Sequence, residues 1–210
     1  MRVVGVVLAA GESRRMGRLK ALLPFAGHTV IEQVLQPLLQ AELTDVVVVL
    51  GYRAKDIAAV LEPLPVRLLH NPEYQRGMTT SVQVALRDVT PMPDAYLLSL
   101  VDQPLTSLTL IQQLLTAFQN THKGLVIPTY QGKRGHPLLL SATYRQEVLA
   151  LGPHQGLNVV TRGHPEDTVE LPVADEAILH DMDYPEDYTA TLQRWEQQIV
   201  DRRTRGEPMH

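Results

Sequence analysis

The run Arg2–Ala9 (RVVGVVLA) is apolar almost throughout, and no other feature restricts the fold as much. A strand with one wet face alternates apolar and polar residues, whereas an unbroken β-branched run fits a strand covered on both faces. Similar runs recur at Asp45–Leu50 (DVVVVL), Val66–His70 and Ala95–Val101 (AYLLSLV). Helix-like stretches separate them. Val30, Ile31, Val34, Leu35, Leu38 and Leu39 repeat at helical spacing after Thr29, and Thr29 with Glu32 spells a capping box. Leu110, Ile111, Leu114, Leu115 and Phe118 mark another helix. This alternation predicts an α/β fold with a mostly parallel central sheet.

The remaining elements are expected in the same way. Gly124–Pro128 reads as a short strand, and Tyr130–Leu140 as a small β-hairpin insertion turning on Gln131, Gly132 and Gly135. A helix at Thr143–Leu151, strands near Thr168–Leu171 and Ala177–Leu179, and a last helix from Pro185 follow. Pro37 should kink or shorten the first helix, and Thr79 or Thr80 should cap a helix running towards Asp88. Residues 1–200 form one domain on this reading, and the charged stretch 201–210 is a loose tail.

Composition narrows the function classes. A formal charge of -4 gives no reason to expect nucleic acid or an anionic membrane as partner. The absence of cysteine excludes disulfides, thiolate metal sites and Cys nucleophiles, and it agrees with a reducing, cytoplasmic setting. No signal-peptide pattern opens the chain, and no apolar run is long enough to span a bilayer.

Three segments can carry chemistry. Leu8–Lys20 (LAAGESRRMGRLK) follows the first strand directly. Gly11 and Gly17 let its backbone N–H groups converge on an anion, while Arg14, Arg15, Arg18 and Lys20 add positive charge. A P-loop would need Ser or Thr after a Gly-Lys pair, and the dinucleotide fingerprint would need glycine where Ala9 and Ala10 stand, so the loop is of a third kind. Asp102 follows the strand Ala95–Val101, where a carboxylate can hold Mg²⁺ against phosphate oxygens or can cap a turn. Asp181 and Asp183 flank Met182 and point the same way in extended backbone, so that one could join Asp102, with a helix cap as the alternative. Two further stretches are softer: the hydroxyls of Thr79, Thr80 and Ser81 after Gly77, and Lys133-Arg134-Gly135-His136-Pro137, a basic hairpin tip that suits an anionic acceptor.

Taken in order, LAAGESRRMGRLK, Gly51-Tyr52-Arg53, NPEYQRGMTTSV, Asp102-Gln103-Pro104, GKRGHP and DMDYPEDY resemble the MobA-like nucleotidyltransferases, nearest to the branch that uses CTP. The resemblance runs from Val3 to Tyr188. It implies a single Rossmann-like three-layer domain, Mg²⁺, and transfer of CMP or GMP to the terminal phosphate of molybdopterin with release of pyrophosphate. By the same resemblance Arg15, Lys20 and Asp102 are catalytic, and Asp102 and Asp183 hold the metal. Leu8, Ala9, Ala10, Gly11, Ser13, Gly51, Thr80 and Ser81 would join Arg15, Lys20 and Asp102 around the nucleotide. Lys133, Arg134, Gly135 and His136 would face the acceptor. Ala10 stands where the guanylyl branch tends to have a second glycine, and Tyr184 stands where the family commonly has Thr.

The expected chemistry is in-line attack by a phosphate oxygen of molybdopterin on the α-phosphorus of CTP. Such an oxygen is already ionised near neutral pH, so positioning and charge screening suffice. Three alternatives stay open at this level: GTP in place of CTP, a sugar phosphate or other small phosphorylated alcohol as acceptor, and a non-catalytic factor that delivers the cofactor to a client molybdoenzyme.

Overall fold

The computed structural model describes residues 1–152 and 154–205. The chain opens with β1 (Val3–Ala9), whose residues are all buried. A short hairpin of β2 (Pro24–Phe25) and β3 (His28–Thr29) leads into α1 (Val30–Gln40). Then come β4 (Asp45–Leu50), α2 (Ala54–Leu61), β5 (Arg67–His70), α3 (Met78–Asp88), β6 (Ala95–Leu100) and α4 (Leu108–Thr121). β7 (Leu125–Tyr130), β8 (Lys133–Arg134), β9 (Leu138–Ser141), α5 (Arg145–Leu149), α6 (Asn158–Gly163), β10 (Thr168–Pro172) and α7 (Pro185–Arg205) complete it.

The main sheet runs in the order β10-β7-β9-β6-β1-β4-β5, with β8 paired to β7. β1 pairs in parallel with both β4 and β6, and β9 is antiparallel to both its neighbours. Side chains alternate across the central strands. Val7, Val48 and Leu97 pack with α1, α2 and α4 on one face, and Val6, Val49 and Leu98 pack with α3, α5 and α6 on the other. Helices thus cover both faces of a mostly parallel sheet, which gives the expected three layers and the continuous apolar spelling of β1.

The topology also places the site. From β1 the chain proceeds to β4 and β5 on one side, then α3 carries it across to β6 on the other. The carboxyl ends of β1 and β6 therefore flank the point where strand order reverses, where open α/β sheets bind ligands. The Leu8–Lys20 loop leaves one of those ends and Asp102 leaves the other.

Several local expectations are corrected. Ala177–Leu179 lies within a 3-10 turn (Glu176–Leu179) rather than a strand, because a short apolar run has no periodicity of its own. Leu138–Leu140 does not belong to a surface insertion. The hairpin is β7–β8 alone, turning on Gln131 and Gly132 at positive φ, and β9 lies inside the main sheet between β6 and β7. The α3 cap position is Gly77, so Thr79 and Thr80 sit within the first turn. Pro37 leaves α1 helical up to Gln40, with the Ala41 N–H bonded to the Pro37 carbonyl at 3.1 Å. Thr143–Leu151 is a 3-10 turn followed by the short α5. The last helix continues through Arg205, into the stretch expected to be loose, and 206–210 lie outside the described residues. The Thr29–Glu32 capping box forms in full. Among the described residues no helix is long and apolar enough to cross a membrane.

Candidate nucleotide-binding and transfer site

Lys20 is the centre of the site. Its Nζ donates to Asp102 Oδ2 at 3.0 Å and to Asp183 Oδ1 at 2.7 Å. Its side chain is 9% exposed, so this ammonium depends on the two carboxylates rather than on water. Arg15 meets the other oxygen of Asp183 at 2.6 Å and lies 5.3 Å from the centre of the Tyr184 ring. Ser13 Oγ accepts from the Lys20 backbone N–H at 3.1 Å and braces the return of the loop.

A small apolar core brings these segments together. Met16 from the loop and Met182 from between the two aspartates are buried in one cluster with Phe25, Val30 and Leu105, against Leu192 and Trp195 of α7. With Met182 turned inward, its neighbours Asp181 and Asp183 both line the cleft, and the Asp183 N–H closes a tight turn on the Asp181 carbonyl at 3.1 Å. The Met182 N–H also bonds the Asp102 carbonyl at 3.1 Å, and Gln103 Nε2 holds Asp181 Oδ1 at 2.8 Å. Asp187 accepts from the N–H groups of Asp183 and Tyr184 at 3.0 and 2.8 Å. This is the helix-side half of a capping box; Tyr184 has no side-chain oxygen near its backbone to accept from the first-turn N–H groups in return, and its ring lies beside Arg15 instead. Asp102 caps no helix, since Ser107 caps α4.

The two carboxylates differ in character. Burial pushes the Asp102 carboxyl above its ordinary range; the ammonium of Lys20 opposes that shift and the charge of Asp181 adds to it. The hydrogen bond from Lys20, together with the charges of Lys20 and Arg15, holds Asp183 below its ordinary range against a smaller effect of burial. The carboxylates offer hard oxygens of the kind Mg²⁺ or Mn²⁺ prefers, gathered around one positive charge. Among the described residues no three acids or histidines form a ready-made cage. That suits an ion held by two carboxylates and completed by water and substrate. Asp102 and Asp183 therefore fit a divalent metal, with the ammonium of Lys20 now between them.

The cleft over this cluster has a volume of about 460 Å³. Leu8, Ala9, Ala10, Gly11, Ser13, Arg15, Lys20, Ser81, Asp102 and Asp183 all line it, drawn together from four separate segments. A side chamber of about 340 Å³ opens under the loop between Gly11, Arg14, Arg15 and Gln75. Arg14 is paired with Glu12. A neighbouring cleft of about 290 Å³ shares Leu8 and Met78 and is lined by Arg134, Gly135, His136, Leu138, Leu157 and Arg162.

Other expected contacts lie elsewhere. Gly51 is packed beneath the site: a Cβ there would lie 2.7 Å from Tyr74 Cβ and 2.8 Å from the Ala10 carbonyl oxygen. That close approach requires glycine there. Thr80 turns away from the cleft and gives its hydroxyl to the Gly77 carbonyl at 2.8 Å. Arg134 is held by Glu170 at 2.8 Å and by the Thr161 carbonyl at 3.0 Å, so it braces β8. Lys133 is exposed on the hairpin and lines neither cleft. Three contributors have no charge pattern to announce them: Tyr74, Met78 and the buried Asn71, which binds Ser81 Oγ at 2.9 Å. The Asn71-Pro72 pair at a strand end marks a turn but not this role.

A cationic loop and paired carboxylates at the switch point of a doubly covered sheet define an α/β protein built to handle polyphosphates. The chain belongs to the family of the MobA-like NTP transferase domain, which it matches over residues 5–169, and this is a family of nucleotidyltransferases. It is 32% identical over 189 residues to a nicotine blue oxidoreductase of Paenarthrobacter nicotinovorans, covering 86% of this chain and 92% of that one. It is 25% identical over 203 residues to the molybdenum cofactor cytidylyltransferase of Escherichia coli, covering 90% and 95%. Among solved structures, Rv0371c of Mycobacterium tuberculosis superposes with a TM-score of 0.81 at 27% identity over 92% of this chain and 98% of that one. A crystal structure of Rv0371c in complex with manganese gives a TM-score of 0.76.

Proposed function

We propose that the protein transfers CMP from CTP to the terminal phosphate of a molybdopterin-type cofactor, releasing pyrophosphate. The observation that carries this is the pair Asp102 and Asp183 held by one buried lysine beneath a loop of arginines. The cations and carboxylates neutralise one another. A triphosphate would compete for Lys20 and Arg15, and Asp102 and Asp183 are the residues that would hold Mg²⁺. When bound, Mg²⁺ offsets negative charge on phosphate oxygens. The rest belongs to the chain. Backbone N–H groups from Ala10 to Ser13 and the guanidinium of Arg15 orient the triphosphate, and Lys20 faces the charge that develops as the bond between the α-phosphorus and the leaving pyrophosphate breaks. An acceptor phosphate oxygen attacks the α-phosphorus in line, ionised beforehand, so no residue needs to take its proton. The second cleft, beside Gly135 and His136, gives room for the acceptor's ring system, with Arg162 at its wall.

Ala10 in the loop and the likeness to the cytidylyltransferase of Escherichia coli support CTP over GTP in this reading. The test uses CTP labelled at the α-phosphate with molybdenum-loaded molybdopterin and Mg²⁺. Label should move to the cofactor, and Asp102→Asn should slow that step by about 10²–10⁴-fold. Label that never leaves CTP would overturn the proposal.

The oxidoreductase of Paenarthrobacter nicotinovorans favours a second reading. A chain without cysteine would need a bound redox cofactor for such chemistry. That reading predicts oxidation of added NADH or NADPH by a suitable acceptor and no pyrophosphate.

A further inference from the structure

The cleft beside the nucleotide site holds one uncommitted charge. Its floor is aliphatic, built from the buried side chains of Leu8, Val82, Leu98, Ile127, Leu138 and Leu157. No carboxylate lines it among the described residues. Three side chains there can carry positive charge: Arg134, His136 and Arg162. Arg134 is committed to Glu170 and to the Thr161 carbonyl, at 2.8 and 3.0 Å. Burial pushes the His136 imidazole below its ordinary range, so it is neutral near pH 7. Arg162 is exposed, and among the described residues its guanidinium has no ion-pair or hydrogen-bond partner.

The helix that bears Arg162 is held at both ends. The Thr79 hydroxyl on α3 donates to the Gln155 carbonyl at 2.7 Å, just before α6, and Arg134 donates to the Thr161 carbonyl in its last turn. Val160 and Thr161 are buried beneath it. Asn158 and Arg162, four residues apart, share one face of α6, and both line the cleft. A solvated surface arginine needs no such fixing. This one stands on a pinned backbone, over an apolar floor, with no counter-charge beside it.

We propose that Arg162, with Asn158 beside it, recognises the acceptor by pairing with an anionic group other than the phosphate that reacts. The reacting phosphate has to reach the α-phosphorus above Asp102 and Asp183, and no residue of α6 lines that cleft. Leu8 and Met78 border both clefts, so one molecule can lie across them. The acceptor class is then a phosphate monoester on a ring system that bears a second negative charge. Arg134 is a positioning residue that acts through α6. This rests on the transferase reading above, and it goes further by naming the residue and the charge that select the acceptor.

The experiment measures kcat and KM separately for CTP and for molybdenum-loaded molybdopterin, by pyrophosphate release with Mg²⁺, in the wild type, Arg162→Met, Arg162→Lys and Arg134→Met. Arg162→Met should raise KM for the acceptor by about 10–100-fold, as loss of one charge-assisted contact implies. KM for CTP, and kcat at saturating acceptor, should stay within about 3-fold, since a contact away from the reacting atoms holds ground state and transition state alike. Arg162→Lys keeps the charge and should recover part of the loss. Added salt should raise the acceptor KM of the wild type more than that of Arg162→Met. Arg134→Met should raise the same KM by a smaller factor and add little in the Arg162→Met background. Arg162 is exposed, so its variants should melt with the wild type, and they decide the matter if melting curves show that Arg134→Met does not fold. An acceptor KM within about 3-fold of the wild type in Arg162→Met, or a loss confined to kcat, overturns the inference and leaves nucleotidyl transfer standing. If the wild type releases no pyrophosphate with any triphosphate, the transferase reading fails. Calorimetric Kd values for molybdenum-loaded molybdopterin on the wild type and Arg162→Met then decide the inference by the same ratio, and a wild type that does not bind it overturns the inference as well.

Discussion

Replacing Lys20 by Met keeps the volume and removes the charge that Asp102 and Asp183 share. Two charge-assisted hydrogen bonds disappear, at 3.0 and 2.7 Å, from a side chain 9% exposed. Removing one partner of a fully buried pair costs about 3–5 kcal/mol. Here the carboxylates are 21% and 29% exposed, and Asp183 keeps Arg15, so hydration and the remaining pair reduce the loss to about 2–3 kcal/mol. For a domain of this size each kcal/mol moves Tm by about 2–4 °C, so Lys20→Met should melt roughly 4–12 °C lower at neutral pH. The deficit should be pH-dependent with a definite sign. Asp183 has a folded-state pKa below its unfolded one, so its contribution is present above the ordinary carboxylate range and fades as pH falls through the lowered value. Mn²⁺ or Mg²⁺ should raise the Tm of Lys20→Met more than that of the wild type, because the ammonium no longer competes for the two carboxylates. Scanning calorimetry at neutral and acid pH, with and without metal, reads all three effects. A variant that melts within about 1 °C of the wild type at neutral pH would refute the central position given to Lys20.

Three other outcomes are expected. Gly51→Ala would push a methyl group into Tyr74 and the Ala10 carbonyl, lowering stability by about 1–3 kcal/mol in a denaturant titration; an unchanged midpoint would contradict that packing. Tyr144 donates to Asp167, whose pKa is lowered chiefly by that bond, so the Tm deficit of Tyr144→Phe should be present at neutral pH and shrink as pH falls through the lowered value; a deficit that grows in acid would reverse the sign argued here. Thr29→Ala removes the α1 cap and should cost about 0.5–2 kcal/mol in the same titration, with no cost meaning that the capping box is not stabilising.

Much of this could be read before any coordinates. β1, β4 and β6 announce themselves because burial on both faces leaves them apolar but for Asp45 at the start of β4 and Ser99 in β6. Thr29 and Glu32 are legible because a capping box is local. What sequence hides is non-local. β9 looks like the return arm of a hairpin until its pairing with β6, across the chain from it, places it in the main sheet. Asp102 and Asp183 stand out by their positions after apolar runs, yet only the packing of Met16 and Met182 in one cluster explains why both reach Lys20. Gly51 belongs to a recognisable pattern, but the clearance it gives beneath Tyr74 is visible only in the fold. Arg134 has the charge expected of an acceptor site, and Glu170 on β10 takes it up. Asn71 opens one of the recognisable motifs, but its bonds to Glu73, Thr80 and Ser81 are visible only once the end of β5 meets α3.

The most direct test of the account is pyrophosphate release by the purified protein with molybdenum-loaded molybdopterin and Mg²⁺, run in parallel with CTP, GTP, ATP and UTP. Release with CTP in preference to the other three, dependent on the acceptor and reduced by about 10²–10³-fold in Lys20→Met, is the predicted result. No release with any of the four, or full release by Lys20→Met, would contradict it.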